Sequence, residues 1–384
     1  MRKGSTTMAD DGFTSRSVTL PVQPMDVCAH GELFAAGLVD GRLAVIGRGG
    51  ETKHIFQAHE ASCRSTVFLD ERTVLSGDAE GNLRMGGVGD RSAGDEATVS
   101  CGGEDEEGCS TLANLAEDGV ASFAVGFEDG MVEIYDRRTF SSASASASST
   151  SGPAVLTFHE HTDYVSDMVL GESGHQLVSV SGDGTLSLYD LRKGKVIARS
   201  EDDADDEMLS VRVVKGGKKV VCGHQSGTLG IYSWGYWNDC SDRFPGHPGS
   251  VDAMVKIDED TLLTGSSDGL IRIVSILPNK PLGIVGEHFA DNPVERLCLE
   301  PVHSQSLLSV SHDNVVKVWA VGELFADDDE DDEDGGGGSG DEGSDEDGEG
   351  PDGGNRKRKR KGKPGKEKFR NQEQAQRSAF FKDL

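Results

Sequence analysis

Two sets of residues in this sequence have the types that nucleophilic chemistry uses: His161, Ser179 and Asp183, and His288, Ser309 and Asp313. A serine activated by a histidine that an aspartate orients is the machinery of acyl transfer and hydrolysis. A triad of that kind needs to occur only once. Here the order His, Ser, Asp returns, with Asp four residues after Ser both times, and recurrence marks a structural element. No catalytic residue is therefore assigned. No glycine-rich phosphate loop precedes a helix, and no long amphipathic helix is visible. The seven cysteines (Cys28, Cys63, Cys101, Cys109, Cys222, Cys240 and Cys298) form no CxxC pair and have no histidine at ligand spacing. Their odd number fits buried free thiols in a reducing compartment. No metal, cofactor or small-molecule substrate is expected.

The elements that must position these residues are short strands. One pattern recurs seven times: GLVDGRLAVI, GDAEGNLRMG, GFEDGMVEIY, VSGDGTLSLY, GHQSGTLGIY, GSSDGLIRIV and SVSHDNVVKVW. Its anchors are Gly41, Gly81, Gly130, Gly184, Gly227, Gly269 and Asn314, spaced by 40, 49, 54, 43, 42 and 45 residues. A pair such as Asp183-Gly184 supplies the positive φ of a tight hairpin turn, and Asn is the next most tolerant residue there. Two and four positions after each anchor the residue is apolar, from Leu43/Val45 to Val316/Val318. That period of two is a strand with one buried face. The spacings lie at or above the ~40 to 45 residues of a propeller blade.

Composition agrees. Of 384 residues 51 are glycine, which suits many strands joined by tight turns. Residues 1–15 are polar without an apolar signal core, and no apolar run approaches the ~20 residues of a membrane span, so a soluble protein that does not use the secretory route is expected. Formal net charge is −29, of which residues 327–384, with 12 Lys and Arg against 18 Asp and Glu, carry −6. The remaining −23 repels phosphate backbones at long range.

The repeat resembles that of WD-repeat propellers, whose third strand ends in Trp-Asp. Tyr135-Asp136 and Tyr189-Asp190 match it, Tyr232 and Trp319 keep the aromatic, and Ile46, Gly86 and Val274 depart from it. Such repeats also place a histidine ahead of each blade, and His59, His161, His247 and His288 stand 22 to 26 residues before their anchors. The resemblance implies two hydrogen-bonded structural tetrads, His161, Ser179, Asp183 and Tyr189, and His288, Ser309, Asp313 and Trp319. The expected fold is all-β, a seven-bladed WD40 β-propeller over residues 14–326. The last blade has no fourth strand before the acidic run at Asp327, so residues 14–20 are assigned as its outer strand, closing the ring and covering an open edge.

Between the repeats, residues 90–108, 141–151 and 201–207 read as solvated loops. The Gly86-Gly87 strand end predicts a poorly packed second blade. Residues 1–13 are expected to be disordered. From 327 to 354 the chain is nearly all Asp, Glu, Gly and Ser, which cannot offset the entropy of ordering, so a disordered acidic linker is expected. Ser339 and Ser344 each have an acid three residues on, the pattern of acid-directed kinases. In the basic tail, 355–384, the run Arg356, Lys357, Arg358, Lys359, Arg360 and Lys361 reads as a nuclear or nucleolar address, or a local contact with ribosomal RNA. Phe380, Phe381 and Leu384 on a polar tail read as a docking peptide.

More specific segments, Gly217–Gly223, Ser241–Phe244, Leu263–Arg272 and Ile276–Lys280, with the terminal Phe-Phe-x-x-Leu, resemble the WD-repeat protein 55 family. That resemblance implies a nucleolar scaffold, with ribosome-assembly proteins as partners, acting in ribosomal RNA production and large-subunit biogenesis. The alternative is a substrate receptor of a cullin-based ubiquitin ligase, which would dock its adaptor through boxes of the Trp-Asp-x-Arg type. Tyr135-Asp-Arg-Arg138 and Tyr189-Asp-Leu-Arg192 are near matches, making Arg138 and Arg192 the docking candidates.

Overall fold

The computed structural model describes residues 6–8, 13–88, 97–100, 107–115, 122–143, 154–201, 206–288, 292–302 and 305–325. Their strands form seven antiparallel sheets, six of four strands and one of five. Each sheet is a blade whose first strand is innermost: Pro24–His30, Cys63–Phe68, Cys109–Asn114, Val165–Leu170, Met208–Val214, Val251–Lys256 and Val294–Leu299. The seven-bladed propeller expected from the repeat is the fold.

The turn chemistry decides the hairpins. All six glycine anchors have positive φ, from 72° at Gly184 to 86° at Gly130. At Gly41 a Cβ would lie 2.3 Å from the carbonyl oxygen of His59, so a side chain is excluded by space as well as by backbone. Asn314 differs: among the described residues only Lys215 and Leu277 are non-glycine residues with positive φ, so the last turn is made without the left-handed conformation expected of it. The fourteen apolar positions that follow the anchors are all buried, the most exposed being Val318 at 9%.

The ring closes through its ends. Thr14–Thr19 pairs with Val315–Ala320 from Ser15↔Trp319 to Thr19↔Val315, and the Leu20 N–H donates to the Asn314 carbonyl at 2.8 Å. Val18 and Leu20 pack there with Phe34, Leu308 and Val316. Glu300, fully buried, accepts N–H bonds from Gly31 (3.2 Å) and Val302 (2.6 Å), tying blade seven to blade one. Inside the ring, polar side chains of one inner strand bond the backbone of the next. Asp26 accepts from the Thr66 N–H (2.6 Å), Ser65 from the Leu112 N–H (3.1 Å) and Asp167 from the Val211 N–H (3.0 Å), while Ser166 and Ser210 donate to the carbonyls of Met208 and Val251. These bonds satisfy inner-edge groups that no neighbouring strand pairs.

Four expectations are corrected. Residues 90–108 are not only loop: Ala97–Ser100 pairs with Asn82–Gly87 as the outer strand of blade two, because that blade's third strand otherwise presents an open edge. Blade two is not loose either. Leu75 and Leu83 are fully buried, and Val88, one residue past the diglycine, packs with Phe68 and Val74. Residues 137–143, overlapping the Ser/Ala run, form a short helix whose Phe140 stands edge-on to Phe123 and Tyr135. Thr6–Met8, within the stretch expected to be disordered, pairs with the closing strand as a fifth strand on its free edge. The acidic linker, Ser339, Ser344, the basic run and the terminal Phe-Phe-x-x-Leu lie outside the described residues.

Candidate functional site

The two polar sets singled out in the sequence come together. In blade seven the indole N–H of Trp319 donates to Ser309 Oγ at 2.9 Å, Ser309 Oγ lies 2.7 Å from His288 Nε2, and His288 Nδ1 lies 3.3 Å from Asp313. Because Trp319 can only donate, the serine proton is free to go to His288 Nε2, which leaves the Nδ1 proton for the carboxylate. In blade four His161 Nε2 lies 2.6 Å from Ser179 Oγ, which donates to the Tyr189 hydroxyl at 3.1 Å, and His161 Nδ1 lies 3.4 Å from Asp183 and 3.0 Å from Thr185 Oγ1.

Electrostatics bind these columns into the packing. Burial by itself would raise the Asp183 carboxyl, but hydrogen bonds from His161, Thr185 and Thr162 outweigh it and hold it well below the usual carboxylate range. Burial pushes the Tyr189 phenol up to about 12 and lowers His288, the latter opposed by Asp313. The atoms have the order of a hydrolytic triad, yet Ser179 and Ser309 are 0% exposed. Each hydroxyl is buried on the second strand of its blade between the histidine and an aromatic partner, so it has no approach for a substrate in this conformation. What the arrangement does is tie the segment ahead of each blade, through its histidine, to the second strand and to the turn before the third, with the aromatic of the third strand closing on the serine.

Sequence reasoning missed a third column. In blade two His59 Nε2 lies 2.7 Å from Ser76 Oγ and His59 Nδ1 3.2 Å from Asp78. A signal for it existed: Ser76, Ser179, Thr264 and Ser309 all stand five residues before their anchors, and each is bonded by its blade's histidine, His247 meeting Thr264 at 2.8 Å. Blades one, three and five have Ala36, Val125 and Cys222 there. The acid had no such signal. Asp78 is at the strand end, two residues earlier relative to its anchor than Asp183. Asp268, in blade six, turns to Arg272 (2.5 Å). In blade five the polarity is exchanged, with His224 on the strand 3.4 Å from Asp206 on the preceding loop.

The two docking candidates occupy matching positions after the third strands of blades three and four. Arg138 bonds Asp136 through Nε (3.2 Å) and Nη2 (2.9 Å), and its side chain is 79% exposed. Arg137 reaches instead to Asp70 (2.5 Å) and Thr73 (2.9 Å) of blade two. Arg192 is exposed, and its backbone N–H donates to Asp190 at 3.1 Å. Among the described residues no cluster of His, Cys, Asp and Glu is arranged to hold a metal ion, and no helix is long and apolar enough to cross a membrane.

Comparison with known proteins adds a family. The family model described as WDR55 matches residues 15–324. The chain is 38% identical over 299 residues to WD repeat-containing protein 55 of Arabidopsis thaliana, covering 76% of this chain and 78% of that one. It is 31% identical over 301 residues to WD repeat-containing protein 55 of Homo sapiens (77% and 73% covered). It is 39% identical over 208 residues to WD repeat-containing protein JIP5 of Cryptococcus neoformans (54% and 52% covered).

Proposed function

Since this chain belongs to the WDR55 family of WD-repeat proteins, we propose that it is a non-catalytic scaffold of the nucleolus, acting through protein–protein contacts in ribosomal RNA production and processing and in large-subunit biogenesis. The observation that carries the non-catalytic part is the burial of Ser76, Ser179 and Ser309, none more than 2% exposed. The residues with chemistry to offer are consumed in holding blades together, and the ring's faces remain for partners. The nucleolar part is supported by the run Arg356–Lys361, a dense cation that import receptors or ribosomal RNA bind by counterion release without a folded surface. Any RNA contact belongs to that tail, because the ring's charge opposes one.

Affinity purification from nuclear extract, with mass spectrometry, tests the scaffold role: assembly factors of the large subunit should co-purify, and their absence overturns it. A fluorescent fusion in which Arg356–Lys361 are alanine should move to the cytoplasm. If it stays nucleolar, the run is not the address. Phe380→Ala with Phe381→Ala should keep the nuclear signal and lose partners, and retention of every partner would leave these side chains without a docking role.

A second reading, substrate receptor of a cullin-based ligase, is favoured by one observation: Arg138 and Arg192 project from equivalent points of neighbouring blades, each beside a turn held by its aspartate. Arg138→Ala with Arg192→Ala should then remove the ligase adaptor from a quantitative pull-down without lowering the melting temperature. A parent protein that retains no adaptor excludes this role.

A further inference from the structure

The acidity of the ring is gathered on one face. In a four-stranded antiparallel blade the turn into the third strand and the connection to the next blade lie at the same end. Among the described residues these turns and connections hold fourteen Asp and Glu and neither Lys nor Arg. Segments of the opposite face mix the signs, with Arg48, Arg138, Arg192 and Lys215 among their acids. Strand arginines are paired with four of the fourteen: Arg42 with Asp40 (2.6 Å), Arg64 with Glu128, Arg199 with Asp183 (3.0 Å) and Arg272 with Asp268 (2.5 Å). The face stays strongly negative.

On its inner rim, between blades six and seven, two more carboxylates are neighbours. Asp252 and Glu295 are each the second residue of an inner strand, Val251–Lys256 and Val294–Leu299, in adjacent blades. Asp252 accepts from the Ser250 hydroxyl at 3.1 Å, and Glu295 lies 2.8 Å from Nε2 of the exposed His312. The arginines of the neighbouring inner strands are directed elsewhere, Arg212 to Asp167 (2.6 Å) and Arg296 towards Asp26 (3.9 Å). Burial first, and Glu295 with it, raise the Asp252 carboxyl to about 6 against Ser250 and Arg296. From blade one to blade six every inner boundary is bridged by a side chain bonded to the next strand's backbone, Ser110 to the Val165 carbonyl (2.7 Å) completing the series. Among the described residues neither Asp252 nor Ala253 makes such a bond to blade seven, so the Asp252 carboxylate is left for another donor.

An orphan hydroxyl stands at the same boundary. Ser311, 0% exposed and in register with Val294, has no partner for its Oγ among the described residues. At the matching places in blades four and six, Ser181 and Ser266 donate to the carbonyls of Asp163 (3.0 Å) and Gly249 (3.3 Å), in the connections ahead of their inner strands. Buried polar groups are satisfied, and a hydroxyl left over is served by a donor from outside. Two carboxylates and a hydroxyl are acceptors of the kind a guanidinium fork, with its five N–H groups, can engage together. The wider face attracts further cations of the same segment and repels nucleic acid. We propose that this face binds an arginine-rich segment of a partner protein, one guanidinium set on Asp252, Glu295 and Ser311 at the boundary of blades six and seven. The surface is independent of the nucleolar assignment, and purified components suffice to test it.

The full-length protein is titrated into a fluorescein-labelled peptide of alternating Arg and Gly, and into the same peptide with Lys or Glu in place of Arg, with anisotropy as the readout. The Arg peptide should bind, the Lys peptide more weakly and the Glu peptide not at all. Asp252→Asn and Glu295→Gln should each weaken the Arg peptide about ten- to hundredfold, the loss of one charge-assisted contact. Ser311→Ala should weaken it severalfold without lowering the melting temperature, and Glu32→Gln with Glu71→Gln, on the opposite face, should bind as the parent does. Melting curves accompany every variant, and if Asp252→Asn unfolds, Glu295→Gln and Ser311→Ala decide the matter. Absence of binding to the Arg peptide overturns the proposal, as does parental affinity in the folded site variants. An equal loss in the opposite-face variant overturns it in favour of unspecific charge attraction. Equal affinity for the Lys peptide overturns the guanidinium site, and displacement by spermine at the concentration of competing Arg peptide overturns the peptide in favour of a small polycation.

Discussion

Ser15 lies directly opposite Trp319 in the closing blade, so a residue near the start of the chain is in register with one that ends the last repeat. The pairing removes the edge that a ring of open blades would expose, and buries Val18 and Leu20 at 5% and 3% exposure. Burial of two such side chains stabilises by roughly 3 to 6 kcal/mol, a large part of a domain's net stability. Deleting residues 1–20 should therefore abolish the cooperative melt or cause aggregation. A truncated protein with an unchanged melting curve, by calorimetry, would refute closure by this strand.

The His288 column can be weighed by its removal. His288→Ala leaves Ser309 and Asp313 without their buried partner and should destabilise by roughly 1 to 3 kcal/mol. Urea midpoints at constant slope measure this. His59→Ala should behave alike, since Ser76 and Asp78 are bonded in the same way, and a parental midpoint in either variant would deny the column its structural role.

His247 makes stability depend on pH. Burial first, then the charge of Arg272, lowers its pKa from 6.5 to about 4. Between those values the unfolded chain binds the proton and the folded one does not, so the contribution is fully present above pH ~6.5 and is lost as pH falls towards 4, at ~1.4 kcal/mol per unit. Asp252 opposes it. Burial, helped by Glu295 and countered by Ser250, raises that carboxyl from 3.8 to about 6, and its contribution is lost as pH rises through that range. Between pH 4 and 6 the two slopes oppose each other in the parent, so relative to it stability should tilt upward with rising pH in Asp252→Asn and downward with rising pH in His247→Asn. Parallel pH curves for parent and both variants would contradict the assignment.

Lys215 holds a φ of 60° while its Nζ bonds Asp260 at 2.8 Å and the Leu277 carbonyl at 3.2 Å. Lys215→Ala loses those bonds and keeps the left-handed backbone, whereas Lys215→Gly loses them and relaxes it. The glycine variant should be more stable than the alanine variant by about 1 kcal/mol. Equal denaturation midpoints would mean that the backbone there carries no such cost.

Blade number, buried faces and ring closure were legible in the sequence because each rests on a local rule repeated seven times. A glycine is needed wherever the turn requires positive φ, and alternate residues of a strand face one side, so Gly184, Leu186 and Leu188 announce their places without reference to any other blade. Closure followed from counting strands. The partners of the polar side chains were a different matter. Nothing near His59 singles out Asp78 over Glu80, and nothing near His224 points to Asp206. Asp26 carries no mark of the Thr66 N–H it accepts. The strand Ala97–Ser100 was hidden in a Gly- and acid-rich stretch because it forms by pairing with an available edge, not by its own pattern. The buried Glu300 carries no mark of the Gly31 N–H it accepts from the other end of the chain. Such contacts are decided by how neighbouring blades meet, and a hydrogen bond falls off within fractions of an ångström, so only the assembled ring selects which donor reaches which acceptor.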